Sequence, residues 1–302
     1  MTPCPTAQIL DRARGCIIGG VIGDALGGPF EGHPGPLRFE EHAAWSISDD
    51  SQLTLATCES IIEKRTVSPE HIAQRFVHWY RARRISGVGA STLKALRDLD
   101  AGVHWALTGA KVEMAAGNGA AMRIAPLAFH LDPAITEQRQ VIRDVCRITH
   151  HSDESYVGAL AIVVAIRCLV YESLSPPQLL GNVLRSLPDS RVRDRLIELD
   201  QLPRHLMIAD VATQFGASGY VVQSVPLALY AARSIDRVAF DVLLRNVIEA
   251  GGDTDTIASM TGQIAGAWLG ASSISRNVFD SLSNADDIER VVDQFAATCD
   301  GR

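Results

Sequence analysis

The periodicity of the apolar residues constrains this chain more than any other feature. In nearly every stretch long enough to classify they recur at the three-and-four spacing of a helix, and strict alternation is nowhere sustained. From residue 69 to 84, Ile72, Phe76, Trp79 and Tyr80 share one side, with Ser68 placed to cap and Pro69 at the first helical position. The same spacing predicts helices over 134–148, 155–171, 178–187, 238–248, 257–269 and 288–297. No Asn-Gly or Asp-Gly turn separates two alternating runs, so no hairpin is signalled. The expected fold is all-α, a single compact multi-helix bundle, with no parallel sheet to host a dinucleotide fold.

At 302 residues the chain could form one large domain or two small ones. No Ser/Gly-rich or low-complexity linker divides it, and its longest loop-like regions are 29–47 and 102–119, so one domain over residues 1–302 is the simpler expectation. A net charge of −7 without a compensating basic run argues against nucleic-acid binding through a basic face and against attraction to anionic lipid. The start, Met1-Thr2-Pro3-Cys4-Pro5, lacks the cationic and apolar regions of an export signal. The apolar runs 16–22 and 159–170 are too short to span a bilayer and read as buried helix, so no membrane partner is expected. Six scattered cysteines, Cys4, Cys16, Cys58, Cys146, Cys168 and Cys299, form no C-x-x-C pair, which fits a reducing cytoplasm.

Chemistry concentrates at two predicted helix starts. Ser48-Asp49-Asp50-Ser51 precedes a helical run over 52–64, where capping by itself explains an Asp or Ser. Gly251-Gly252-Asp253-Thr254-Asp255-Thr256 precedes another, where capping explains one carboxylate and not two. Together the two segments offer four carboxylates and several hydroxyls, a donor set suited to a hard cation such as Mg²⁺ or Mn²⁺. If they converge, the mutual repulsion of Asp49, Asp50, Asp253 and Asp255 would be formally neutralised by two divalent cations. The Gly-rich stretch 19–28 lacks the preceding strand of a dinucleotide fingerprint. Gly117-Asn118-Gly119-Ala120-Ala121-Met122-Arg123 is expected to open a further helix and offer backbone N–H groups to a phosphate or ribose, with a plain turn as the alternative. His150 and His151 follow a predicted helix end and could cap it or face a ligand. The small-residue run 262–267 permits close helix crossing.

Read in order, these segments resemble the ADP-ribosylglycohydrolase family. Its G-D-A-L-G element stands as Gly23-Asp24-Ala25-Leu26-Gly27, its T-D-D-T motif as Ser48-Asp49-Asp50-Ser51, its G-N-G-x-x-M-R element as residues 117–123 and its G-G-D-T-D-T motif as residues 251–256. The resemblance covers residues from about 12 to 270. It implies an all-α fold with a binuclear Mg²⁺ or Mn²⁺ site in a cleft that binds ADP-ribose. Carried over by position, Ser48, Asp49, Asp50, Asp253, Asp255 and Thr256 would hold metal, with Ser48 standing where the family usually has Thr. Glu31 aligns with an acidic residue near the scissile bond in some relatives and is the candidate to position or deprotonate water, or to protonate the leaving group. Gly87 and Gly89 resemble the loop that wraps the diphosphate, Gly117, Asn118, Gly119 and Met122 the ribose and phosphate element, and His150 one half of a Thr-His pair near the ligand. Tyr220 occupies the place of an aromatic residue able to stack on adenine; an ordinary core tyrosine is its alternative.

The function so implied is hydrolysis of the C1″ glycosidic bond of mono-ADP-ribosylated protein side chains, arginine before serine, by a monomer that releases ADP-ribose. The alternatives are a non-catalytic ADP-ribose binder, a crystallin-like structural protein, or a hydrolase of another adduct such as a modified nucleic-acid end or O-acetyl-ADP-ribose. The 29–47 loop beside Glu31 is the expected seat of acceptor choice.

Overall fold

A computed structural model describes residues 6–42, 44–111 and 116–299. The expectations that rested on Met1 to Pro5, on Cys4 and on parts of the 29–47 and 102–119 loops fall in part outside those residues. Among the described residues there are fifteen α-helices and no strand. In chain order they are α1 Thr6–Gly27, α2 Asp49–Lys64, α3 Pro69–Arg81, α4 Ala90–Asp100, α5 Trp105–Thr108, α6 Thr136–Arg147, α7 Asp153–Tyr171 and α8 Leu179–Ser186. They continue with α9 Arg191–Asp200, α10 Ile208–Phe215, α11 Val221–Ala232, α12 Phe240–Glu249, α13 Thr254–Leu269, α14 Asn277–Asp280 and α15 Ala285–Ala296. The fold is the all-α one that periodicity predicts. Where α3 stops short of residue 84, Arg83 turns left-handed at φ 53° and the N–H groups of Arg83 and Arg84 close back on Tyr80 and Trp79 carbonyls.

The centre of the protein is the antiparallel pair α1 and α13. Glycines at four-residue intervals on α1 (Gly15, Gly19, Gly23, Gly27) face Gly266, Gly262, Ala258 and the Thr254–Asp255 backbone of α13. A Cβ on Gly19 would lie 2.2 Å from the Gly262 carbonyl oxygen, and one on Gly266 would lie 2.0 Å from that of Gly15. Only hydrogen fits there, so the backbones touch and the two helices dock in a single register. The C-terminal end of α1, carrying Asp24, is thereby fixed against the N-terminal end of α13, carrying Asp255.

Around this pair α7 forms the second buried layer, packed by α6, α8, α11 and α13. By length and composition α7 could cross a bilayer, but 83% of its apolar span is buried inside the protein, as a core helix requires. Cys16, Cys58, Cys146, Cys168 and Cys299 are buried, and none of them forms a disulfide among the described residues.

One expectation is corrected: residues 117–123 do not open an α-helix. Asn118 N–H donates to the Gly219 carbonyl, Val221 N–H donates to that of Ala116, and the chain turns through 119–123 into the 3₁₀ segment Ala125–Phe129. The backbone groups a helix would have used are spent on this cross-chain bridge, and Pro126 enters the short 3₁₀ turn instead.

Candidate active site

Asp24 organises the first half of the site. It is fully buried in the apolar C-terminal half of α1 and accepts hydrogen bonds from Ser48 N–H (3.0 Å), Ser48 Oγ (2.7 Å) and Ser51 N–H (3.1 Å). A carboxylate from α1 thus satisfies the free N-terminal donors of α2 from outside, while Ser48 Oγ caps Asp50 N–H at 3.3 Å. Capping is therefore already provided, and Asp49 and Asp50 in the first turn are left for other work. Sequence reasoning quoted Asp24 within its glycine-rich element and passed over it as a site residue. The available signal was a lone charge on a helix face that is otherwise all small or apolar.

The second half begins at a turn that only glycine allows. Gly251 and Gly252 have φ of 75° and 84°, and a Cβ on Gly252 would lie 2.1 Å from the Ala217 carbonyl oxygen. Gly32 N–H donates to Gly252 O and Gly252 N–H to His33 O, both at 2.8 Å, which ties the loop carrying Glu31 to the start of α13. Asp253 holds the N-cap position without making a capping bond. Its Oδ2 instead accepts from Asn118 Nδ2 at 2.5 Å, joining α13 to the 117–119 turn. Asp255 Oδ1 accepts from Thr256 N–H at 2.8 Å, and Thr256 Oγ1 donates to Asp50 Oδ2 at 3.3 Å, so the two helix starts do converge.

Oxygens of Asp24, Asp50 and Asp255 lie within 4.8 Å of one another, and so do oxygens of Glu31, Asp253 and Asp255. Asp255 belongs to both groups. Among the described residues no lysine or arginine forms a salt bridge with any of these carboxylates. The electrostatic result is visible in their proton affinities. Burial, then Asp24, pushes Asp49 up to about 7, and burial, then Asp253, pushes Asp255 up to about 9. Asp50 is raised well above the carboxylate range by burial and by Asp255, and Glu31 is raised by burial, Asp253 and Asp24. Asp50 Oδ1 is buried without any hydrogen-bond partner. An orphaned carboxylate oxygen inside an uncompensated acidic cluster is what a divalent cation would complete, so these residues fit such a group.

The cluster floors a cleft of about 280 Å³. Glu31, Asp49, Asp50, Asp253, Asp255 and Thr256 line one side, and Gly87, Gly89, Gly117, Asn118, Gly119, Met122 and His150 line the rest. Ala90, Ser91 and Gly219, from the segments that carry Gly89 and Tyr220, line it too, as does Thr92, which was not foreseen. Gly89 is the N-cap of α4 and offers no side-chain cap, so the N–H groups of the first turn of α4 open toward the cleft, an arrangement suited to an anion. The glycine spacing before a helical run was the available signal for Thr92. Ser48 stands behind the cluster, its hydroxyl on Asp24, and does not line the cleft. Tyr220 caps α11, is partly buried against the core and likewise is not a lining residue. His151 is held by backbone bonding to Ala110 and lies outside the cleft.

Comparison with known proteins shows the family and the fold. A family model described as ADP-ribosylglycohydrolase matches residues 5–302. The chain is similar to the ADP-ribosylhydrolase ARH3 of Homo sapiens, with 28% identity over 87% of this chain and 87% of the relative. It is similar also to the ADP-ribosylarginine hydrolase Tri1 of Serratia proteamaculans, with 27% identity over 97% of this chain and 81% of that one. A solved structure titled "ADP-ribosylglycohydrolase-related protein complex" shares the fold, with a TM-score of 0.74, 24% identity, and coverage of 97% of this chain and 99% of the other.

Proposed function

The chain belongs to the ADP-ribosylglycohydrolase family and is a glycosyl hydrolase, and from that premise we propose that it is a divalent-cation-dependent ADP-ribosyl-acceptor hydrolase. Its reaction is cleavage of the C1″ glycosidic bond of mono-ADP-ribosylated protein side chains, arginine first and serine second, with release of ADP-ribose. The observation that carries this reading is the pair of carboxylate groups sharing Asp255 at the floor of the cleft, with Asp50 Oδ1 left unpartnered.

Asp49, Asp50, Asp253, Asp255 and Thr256 would hold two Mg²⁺ or Mn²⁺ ions, with Ser48 supporting them through Asp24. Bound, such ions supply charge neutralisation, Lewis acidity and a more acidic water. The chain's own groups do the rest. The first turn of α4 with Gly87 and Gly89 receives the diphosphate, and the 117–119 turn, Met122 and His150 hold the adjoining ribose. Asn118, fixed to Asp253 at 2.5 Å, keeps that turn in register with the acidic floor. Glu31, its proton affinity raised by burial and by two neighbouring carboxylates, protonates the leaving side chain as oxocarbenium character develops at C1″, and takes a proton back from the water that adds there.

The deciding experiment is release of free ADP-ribose from arginine- and serine-ADP-ribosylated peptides, with Mg²⁺, with Mn²⁺ and after EDTA. Cation-dependent release from one peptide upholds the proposal and names its linkage. No release from either, alongside tight ADP-ribose binding, replaces the hydrolase by a binder or by an enzyme for another adduct.

A further inference from the structure

Behind the ribose side of the cleft lies a cation that the reaction, as proposed above, does not use. Arg123 has no solvent exposure, makes no salt bridge among the described residues, and leaves its Nε and Nη1 without hydrogen-bond partners. Its guanidinium sits 4.8 Å from the centroid of the Phe76 ring. One nitrogen, Nη2, is engaged, donating to the Val145 carbonyl at 3.2 Å and to Thr149 Oγ1 at 2.8 Å. A buried guanidinium with neither a carboxylate nor a full set of acceptors contributes little to stability, and its position calls for another account.

That account follows from counting protons. Arginine can only donate, so Thr149 Oγ1 is the acceptor in its contact with Arg123. The hydroxyl has two lone pairs and could accept from Nδ1–H as well, but its own proton, buried with the residue, would then have no acceptor among the described residues; donation to His150 Nδ1, at 2.9 Å, is the arrangement that satisfies it. Nδ1 then carries no proton, and the proton of a neutral imidazole must be on Nε2. The ring makes no other hydrogen bond among the described residues, and its Nε2 edge lies against the cleft glycines: a Cβ on Gly117 would come within 3.1 Å of Nε2, and one on Gly119 within 2.9 Å of Cε1. His150 itself lines the cleft. Burial and Arg123 hold its pKa down to about 3, so the ring is neutral at neutral pH.

We infer that Arg123 is a positioning residue: through Thr149 it locks His150 as the Nε2–H tautomer, giving the cleft a fixed, uncharged N–H donor for an oxygen of the bound diphosphate-ribose. The ligand half of this inference rests on the function proposed above; the tautomer half does not. A protonated imidazole could also donate, but its charge would vary with pH and would draw it toward the carboxylate floor. An unlocked neutral ring would present Nε2 as an acceptor part of the time and repel the same oxygen.

The test is long-range ¹H–¹⁵N correlation of the histidine rings in the full chain at neutral pH, with ADP-ribose affinity measured calorimetrically alongside. His150 is expected to show a protonated Nε2 and a bare Nδ1. Thr149→Val removes the proton donor to Nδ1 and should give a mixed tautomer with roughly tenfold or greater loss of ADP-ribose affinity, the worth of one hydrogen bond to a charged acceptor. Thr149→Ser should restore both. An Nδ1–H or doubly protonated His150 in the wild type overturns the relay, as does an unchanged tautomer in Thr149→Val. If the wild type shows the expected tautomer yet binds no ADP-ribose, the relay is upheld and the functional reading alone is lost.

Discussion

A carboxylate at a helix start is ordinarily spent on capping, and at residue scale the informative fact is how few of these are. Asp253 sits at an N-cap and makes no capping bond, and α2 is capped by Ser48 and from outside by Asp24. Replacing Asp253 or Asp255 with Ala is expected to take turnover of ADP-ribosylated peptide below detection; near-normal rates would remove the cation assignment. Glu31→Gln should lower turnover by roughly 10²–10⁴-fold, the range of a general acid or base, while ADP-ribose affinity measured by calorimetry stays within about twofold. The raised pKa values also set a pH response. In the cation-free fold Asp49 and Asp255 keep protons that the unfolded chain loses above 3.8, so stability is lost as pH rises from there toward about 7 and about 9 respectively. In EDTA, the melting temperature should therefore fall more between pH 5 and pH 8 for the wild type than for Asp255→Asn; equal slopes would show that Asp255 is an ordinary carboxylate. The acidic pairs were legible because two adjacent carboxylates exceed what a helix start needs. Asp24 was not, since its role depends on which helix meets α2, and no local pattern carries that information.

At the scale of elements, the approach of α1 to α13 decides where the buried carboxylates stand. Gly262→Ala would place a Cβ 2.1 Å from the Gly19 carbonyl oxygen, and the overpacking is expected to destabilise the protein by about 1–3 kcal/mol in a denaturant titration. Because the same contact fixes Asp255 against Asp24, activity should fall further than the stability loss alone explains. A neutral result would mean that the helices can slide apart without penalty. Helices with one apolar stripe, such as α3, α6, α12 and α15, were readable from spacing because the stripe reports the face turned inward. Those buried on most sides, α1 and α11 above all, show no such stripe, and α11 also carries Pro226 in its interior. The turn at 117–119 was misread as a helix start because its backbone partners, Gly219 and Ala116, are set by tertiary pairing and not by neighbours in sequence.

At the scale of the whole molecule, the site is a clasp between distant parts of the chain: Asp24 and Asp50 come from its beginning, Asp253 and Asp255 from near its end. Cations that join them should stabilise the whole fold and not one loop. Scanning calorimetry is expected to show one cooperative transition, raised by Mg²⁺ or Mn²⁺ by an amount equivalent to about 2.7 kcal/mol at a hundred times the dissociation constant. Two transitions, with the cation moving one alone, would separate the halves of the site energetically. The closeness of α1 and α13 also has a consequence in time. Thr254 Oγ1 donates to the carbonyl of Gly27, 227 residues earlier. At roughly 5–20 residues per second of synthesis, the glycine face of α1 waits about 11–45 s for the helix that covers it. During translation α1 therefore carries a bare glycine face in search of a partner, open to chaperones and proteases, and the cleft can close only when α13 arrives.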